Sequence, residues 1–175
     1  MELNINSNLM NYNIDTTEKY KLSDICQIYT HNYFRKDKII KGEYPIVYDS
    51  TNIIDYHNNF NIDENTILVG WYSGVISMYD NKVMASHCFS IKPNDTINKK
   101  YLYYYLKNKQ NDIINLRVGS AQPRIYKHIL LDFTVPIPSN EIQEEYIKFV
   151  DSIDEKIKNN NIQNEQLTQL KYSLF

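Results

Sequence analysis

Glycine is scarce in this sequence, with four residues among 175. With so few, neither a P-loop nor a dinucleotide-binding loop is present. Cysteine is scarcer still. Cys26 and Cys88 are too few for a disulfide framework and point to a reducing compartment, so a cytoplasmic protein is expected. No apolar run approaches the roughly 18 residues of a membrane span, and Met1–Ile14 lacks the apolar core of a signal peptide. A membrane is therefore not expected as a partner. His31, His57, His87 and His128 form no metal-binding spacing with one another or with the cysteines, so no metal or other cofactor is expected. No N/D-P-P-aromatic motif of an amino-methyltransferase is present, and no local motif marks an enzyme.

Arginine is the third scarcity, with three residues. Asn, Ile, Tyr and Lys together supply 78 of the 175 positions, as A/T-rich codons would dictate. A single Lys or Tyr thus carries little functional weight, whereas an arginine kept against that bias carries more.

Three regions are expected. Residues 1–18 are polar, Asn-rich and aperiodic, and read as an N-terminal arm. Residues 19–138 change pattern every few residues, as in a mixed α+β domain. Lys21–Tyr29 places Leu22, Ile25, Cys26 and Tyr29 at the spacing of one helical face. Pro45–Tyr48, Thr66–Trp71, Val75–Tyr79 and Val83–Lys92 read as strands. Tyr72-Ser73-Gly74 would close a hairpin with Gly74 at positive φ, and Asp80-Asn81-Lys82 would close the next. His87-Cys88 falls inside the last of those strands, on opposite faces. Asn98–Lys109 reads as a helix and Phe133–Ile137 as a final strand.

Residues 139–175 read as one long helix. Asn140 and Gln143 fit a capping box, and no Gly or Pro follows. About 35 residues at 1.5 Å each would extend roughly 50 Å. Val150, Ile153, Ile157, Asn160, Asn164, Leu167, Lys171 and Leu174 repeat at alternating three and four spacing, the seam of a coiled coil. Buried Asn pairs fix register and chain number, so the helix is expected to pair with a second copy as a homodimer. A single amphipathic helix packed on its own domain is the plainer alternative.

Charge divides unevenly, with −3 on residues 139–175 and +1 on the rest. Two loops are basic. One, from His31 to Lys41, holds Arg35, Lys36, Lys38 and Lys41 against Asp37. The other, from Arg117 to His128, holds Arg117, Arg124 and Lys127 without an acid, interleaved with Ser120, Gln122 and Tyr126. Cations hold phosphates, while Arg, Gln and Asn read base edges, so double-stranded DNA is the partner this pattern fits. Trp71, Tyr72 and Ser73 at a hairpin tip are candidates to enter a groove, although an aromatic there is as often a packing residue. A pI near 6.1 fits a weak reader that gains affinity from partners.

Six fragments then occur in a familiar order: Tyr20–Ile28, Gly42–Tyr48, Thr66–Gly70, Tyr101–Leu106, Gly119–Pro123, and Val135–Pro138 followed by Ile142-Gln143. Together they resemble the target-recognition domain and conserved helix of type I restriction–modification specificity subunits. The resemblance implies a non-catalytic DNA-recognition domain with a helical spacer, and a DNA methyltransferase subunit as partner. The family joins two recognition domains by antiparallel helices to read a split target. One domain and one helix here imply a homodimer reading inverted half-sites. There are departures. Tyr29–Tyr33 replaces a glycine usual after the first helix, Trp71 stands where a basic residue often follows the Leu-Val-Gly strand, and Glu141-Ile142-Gln143 replaces Glu-Glu-Gln. A pure interaction or decoy module and an enzyme of unrecognised type remain alternatives.

Overall fold

A computed structural model of the chain describes residues 17–32 and 39–173. Most of the N-terminal arm, the cations Arg35, Lys36 and Lys38, and Leu174 lie outside the described residues. The chain divides into two compact units, one ending at Pro138 and one beginning at Ser139.

The first unit is closed at its ends by β1 (Lys19–Lys21), paired antiparallel with β9 (Thr134–Pro136). Between them, Lys21–Tyr29 forms less helix than its spacing predicts. α1 is one turn, Leu22–Ile25, with Leu22 and Ile25 buried. From Cys26 the chain is strand β2 (Cys26–His31), in which Cys26 and Ile28 are buried and Gln27 and Tyr29 exposed. Over so few residues both periods fit the same apolar positions. The antiparallel ladder with β8 (Cys88–Pro93), running from Cys26↔Pro93 to His31↔Cys88, decides for the strand.

β8 also pairs with β5 (Ile67–Gly70), which pairs with β6 (Ile76–Met78), giving one sheet in the order β2-β8-β5-β6. The β5–β6 hairpin forms as predicted, with Gly74 at φ +68°. Ile114 sits where a Cβ on Gly74 would go.

The predicted strand Val83–Lys92 breaks at His87, whose φ is +54°. Its first part, β7 (Met84–Ser86), joins a second sheet, parallel to β3 (Tyr44–Tyr48). Asp80-Asn81-Lys82 therefore carries the chain from one sheet to another and closes no hairpin. One edge of that second sheet is β4 (Asn52–His57), antiparallel to β3. Its Asn, Asp and His residues hide it from a reading based on apolar alternation.

α2 (Lys99–Asn108) begins where predicted. The Asn98 side chain accepts from the amides of Lys100 and Tyr101 at 2.8 and 3.3 Å. It buries Tyr101, Leu102, Tyr105 and Leu106, each worth about 1.5–3 kcal/mol when fully withdrawn from water. The Tyr101 hydroxyl donates to the Pro136 carbonyl at 3.1 Å, so its polar end is satisfied. α3 (Gln110–Ile114) and α4 (Lys127–Leu131) complete the unit.

The second unit is α5 (Asn140–Ser173). The Gln143 amide donates to the Ser139 carbonyl at 3.0 Å. Ser139 is thus the capping position, not Asn140, and Gln143 is buried. The Ser139 hydroxyl holds the Glu141 carboxyl below its usual range. Val150, the first residue of the predicted seam, is already buried in the single chain, and Ile153 is half-buried. From Asp154 to Tyr172 every residue is exposed, including Ile157, Asn160, Asn164 and Leu167. The seam open to a partner is therefore shorter than the repeat.

Candidate nucleic-acid interface

β5 ends in a turn that its neighbours grip from two sides. The Asp49 carboxylate, buried after β3, accepts from the amides of Tyr72 (2.9 Å) and Ser73 (2.8 Å). The Ser73 hydroxyl donates back to the Asp49 carbonyl at 2.9 Å and accepts from the Val75 amide at 3.0 Å. Gly70 is obligatory beneath this turn, because a Cβ would overlap the Ser73 hydroxyl and the Asp49 carbonyl. Burial raises the Asp49 carboxyl above its ordinary value, while the donors from Tyr72, Ser73 and Trp71 pull it back down.

From the other side, Arg117 donates through Nε to the Ile114 carbonyl (3.0 Å) and through a terminal nitrogen to the Tyr72 carbonyl (2.8 Å). Two donors of its fork thus hold the turn in place. Val118 and Arg124 exchange backbone hydrogen bonds at 2.9 and 3.1 Å, and the Ile125 amide donates to the Trp71 carbonyl at 2.7 Å. These bonds close the Gly119–Pro123 turn and tie it to the Tyr72 turn. Gly119 has φ +121°, a conformation that any side chain would strain. Ser120, Ala121, Gln122 and Pro123 are all exposed.

The Arg124 guanidinium lies 4.6 Å from the centre of the Tyr126 ring. Its interactions with the hydroxyls of Tyr126 and Tyr72 raise its pKa further, so it is a permanent cation. Arg124, Tyr126 and Lys127 line a cleft of about 270 Å³ with Thr30, Asn32 and Phe89. No acid occurs between Arg117 and Leu131. The next one, Asp132, is 2.7 Å from the Lys21 ammonium.

The structure thus brings Tyr72 and Ser73 on one turn together with Arg117, Ser120, Gln122 and Arg124 on or beside the turn coupled to it, with Tyr126 and Lys127 following at the start of α4. Trp71 takes a different place. It is buried, with its ring centre 5.3 Å from His87 and 5.7 Å from Phe89, so it forms the floor of the site and does not project from the tip. Sequence pattern alone does not mark Asp49 or His87 as site residues. His87 packs against Tyr48 and Tyr72 as well, its Nδ1 is 2.8 Å from the Ser86 hydroxyl, and burial lowers its pKa. A short polar Asp-Ser-Thr step after an apolar strand is the available signal for Asp49.

Known proteins share this fold. The profile of the type I restriction modification DNA specificity domain matches residues 14–169. Two specificity subunits of type I restriction enzymes from Methanocaldococcus jannaschii are similar. MjaIX is 29% identical over 105 residues, covering 58% of this chain and 24% of the relative. MjaVIII is 27% identical over 114 residues, covering 63% and 27%. This chain therefore matches about a quarter of the length of those relatives. Among solved structures, the type I restriction–modification S subunit from M. genitalium superposes with TM-score 0.73 at 21% identity, over 81% of this chain and 40% of that one. The HsdS subunit from Thermoanaerobacter tengcongensis gives 0.62 at 15% identity, over 81% and 38%. A structure described as showing complex assembly and conformational transition of the type I restriction–modification system gives 0.69 at 15% identity, over 88% and 42%.

Proposed function

Because the chain belongs to the type I restriction–modification DNA specificity family, we propose that it is a non-catalytic reader of duplex DNA. In this reading it dimerises through α5, recognises inverted half-sites and recruits a methyltransferase subunit that carries out the chemistry. The observation that carries it is the pair of coupled turns: Ser120 and Gln122 stand on the turn closed by the Val118–Arg124 backbone pair, Arg124 and Lys127 lie on either side of the Ile125 amide tied to the Trp71 carbonyl, and Asp49 and Arg117 grip the Tyr72 turn beside them. Reading groups held in place before DNA arrives lose less freedom on binding. Arg124 and Lys127 serve phosphates, and Gln122 has the donor and acceptor pair that a base edge requires. Tyr72 and Tyr126 orient Arg124. Arg117 acts first as the clasp of the turn. Arg35, Lys36 and Lys38 are further phosphate candidates.

Ile157, Asn160, Asn164 and Leu167 form the accessible seam for pairing. The DNA half of the reading is tested by the salt dependence of duplex binding. Arg124→Glu with Lys127→Glu should weaken binding at least about tenfold and lower the slope of log affinity against log salt by about 0.9 for each phosphate no longer neutralised. Unchanged affinity and slope would remove these turns from the interface. The net charge of −2 favours, as a second reading, a decoy module that binds protein alone; it predicts no salt-dependent duplex binding by the parent chain.

A further inference from the structure

β4 exposes both its faces, as among the strands only the three-residue β1 also does. Asn52 to Tyr56 are all exposed, with Ile53, Ile54 and Tyr56 each about half accessible. Asp55 opposes Ile46 and Ile53 opposes Val47, so Ile54 is the extra residue of a bulge and turns a second apolar side chain outward. β4 is one edge of its sheet, and no strand pairs with its outer side among the described residues. The Tyr56 amide is already taken by the Asp55 carboxylate at 2.8 Å, and the other backbone groups on the open side are there for another extended chain to satisfy.

Beside this edge lies a cleft of about 720 Å³ with walls of Tyr44, Pro45, Ile53 and Tyr56. Glu43, Glu64 and Asp80 form its rim and are exposed. Lys82, also in the lining, is already engaged, 3.8 Å from Asp63 and 4.3 Å over the Phe60 ring. The cleft opens at the Tyr44 end of β3, whereas Asp49 and the candidate DNA-reading turns adjoin the Tyr48 end, about 13 Å away at 3.3 Å per residue.

Charge chooses the occupant. Phosphates would meet three carboxylates here, and so would the edge of a second copy, which carries the same acids. Like charges brought together across an interface cost several kcal/mol. We propose that β4 and its acidic cleft form a docking surface for a partner protein's extended segment that alternates basic and apolar residues and adds as a fourth strand. Backbone hydrogen bonds would supply affinity and the rim carboxylates the choice of sequence. The inference does not depend on the DNA reading and concerns the second sheet, at the end of β3 away from Asp49.

The test uses the full chain with two synthetic octapeptides, acetyl-KVKVKVKV-amide and acetyl-EVEVEVEV-amide, followed by amide hydrogen exchange and titration. The lysine peptide should slow exchange across Asn52–His57, and the glutamate peptide should not. Glu64→Lys with Asp80→Lys, both exposed and outside the core, should lose at least about tenfold in affinity for the lysine peptide. Ile53→Thr should weaken it separately. Equal affinity for the two peptides, protection elsewhere than β4, or protection of β4 by a 24-base-pair duplex would each overturn the proposal.

Discussion

The two units of this chain are built from the same Asn-, Ile-, Lys- and Tyr-rich alphabet and end in opposite states. The first withdraws Leu22, Ile46, Leu68, Ile91, Leu102 and Ile113 fully or almost fully from water. The second leaves Ile157, Leu167 and Leu170 about half exposed or more. The difference is one of pattern, because alternation over short strands lets neighbouring strands complete a core within one chain. A continuous 3,4 repeat on a helix of 34 residues instead presents a stripe, and most helical stability comes from packing such a stripe on something. The first unit supplies its own packing surface. The stripe from Asp154 onward is exposed, and the proposed pairing would cover it.

Substitutions on either side of that divide should separate cleanly. Leu102→Ala removes a fully buried side chain and should destabilise the first unit by about 2–5 kcal/mol in denaturant unfolding. Ile157→Asp with Leu167→Asp should leave that transition in place while weakening self-association by about a hundredfold, roughly 3 kcal/mol, read by sedimentation. If the seam variant melted the first unit, or the core variant alone abolished pairing, the division into self-sufficient and partner-dependent parts would fail.

Smaller effects sharpen the same contrast within the first unit. Asp49→Ala removes the acceptor of two amide bonds and should cost about 1.5–3 kcal/mol, with faster hydrogen exchange at Tyr72 and Ser73. Asn98→Ala removes a helix cap and should cost about 1 kcal/mol. Burial lowers the pKa of His31 and His87, so below about pH 6.5 the unfolded chain takes up protons that the folded chain resists. Stability should fall as pH drops from about 7 to about 5. Asp49, raised by burial, works in the opposite sense and in a lower window, nearer the ordinary carboxylate range. His87→Gln should flatten the neutral-range dependence in a pH series of unfolding curves.

Legibility from sequence follows the range of the interactions. Local signals are readable: the Asn98 cap, the Tyr101–Leu106 face, the Gly74 hairpin and the long final helix each depend on residues a few positions apart. The Lys21–Tyr29 segment misleads because one helical turn and a half-buried strand place the same apolar residues, and only the β8 ladder separates them. The break at His87 is hidden for a related reason, since nothing in its neighbours announces that two sheets divide there. At the candidate site, clustering of scarce arginines marks a segment that the structure ties to the Tyr72 turn. Their division of labour is not legible, because Arg117 meets Tyr72 across 45 positions of chain. A place at the end of a strand makes Trp71 a candidate, and tertiary packing with His87 and Phe89 puts it in the floor instead.

The most direct measurement is the mass of the unmodified full chain in solution by sedimentation equilibrium at tens of micromolar, without DNA or partner proteins. A self-pairing helix predicts about 42 kDa, twice the 20.8 kDa chain. A mass that stays at 20.8 kDa across that range would contradict the symmetric reader.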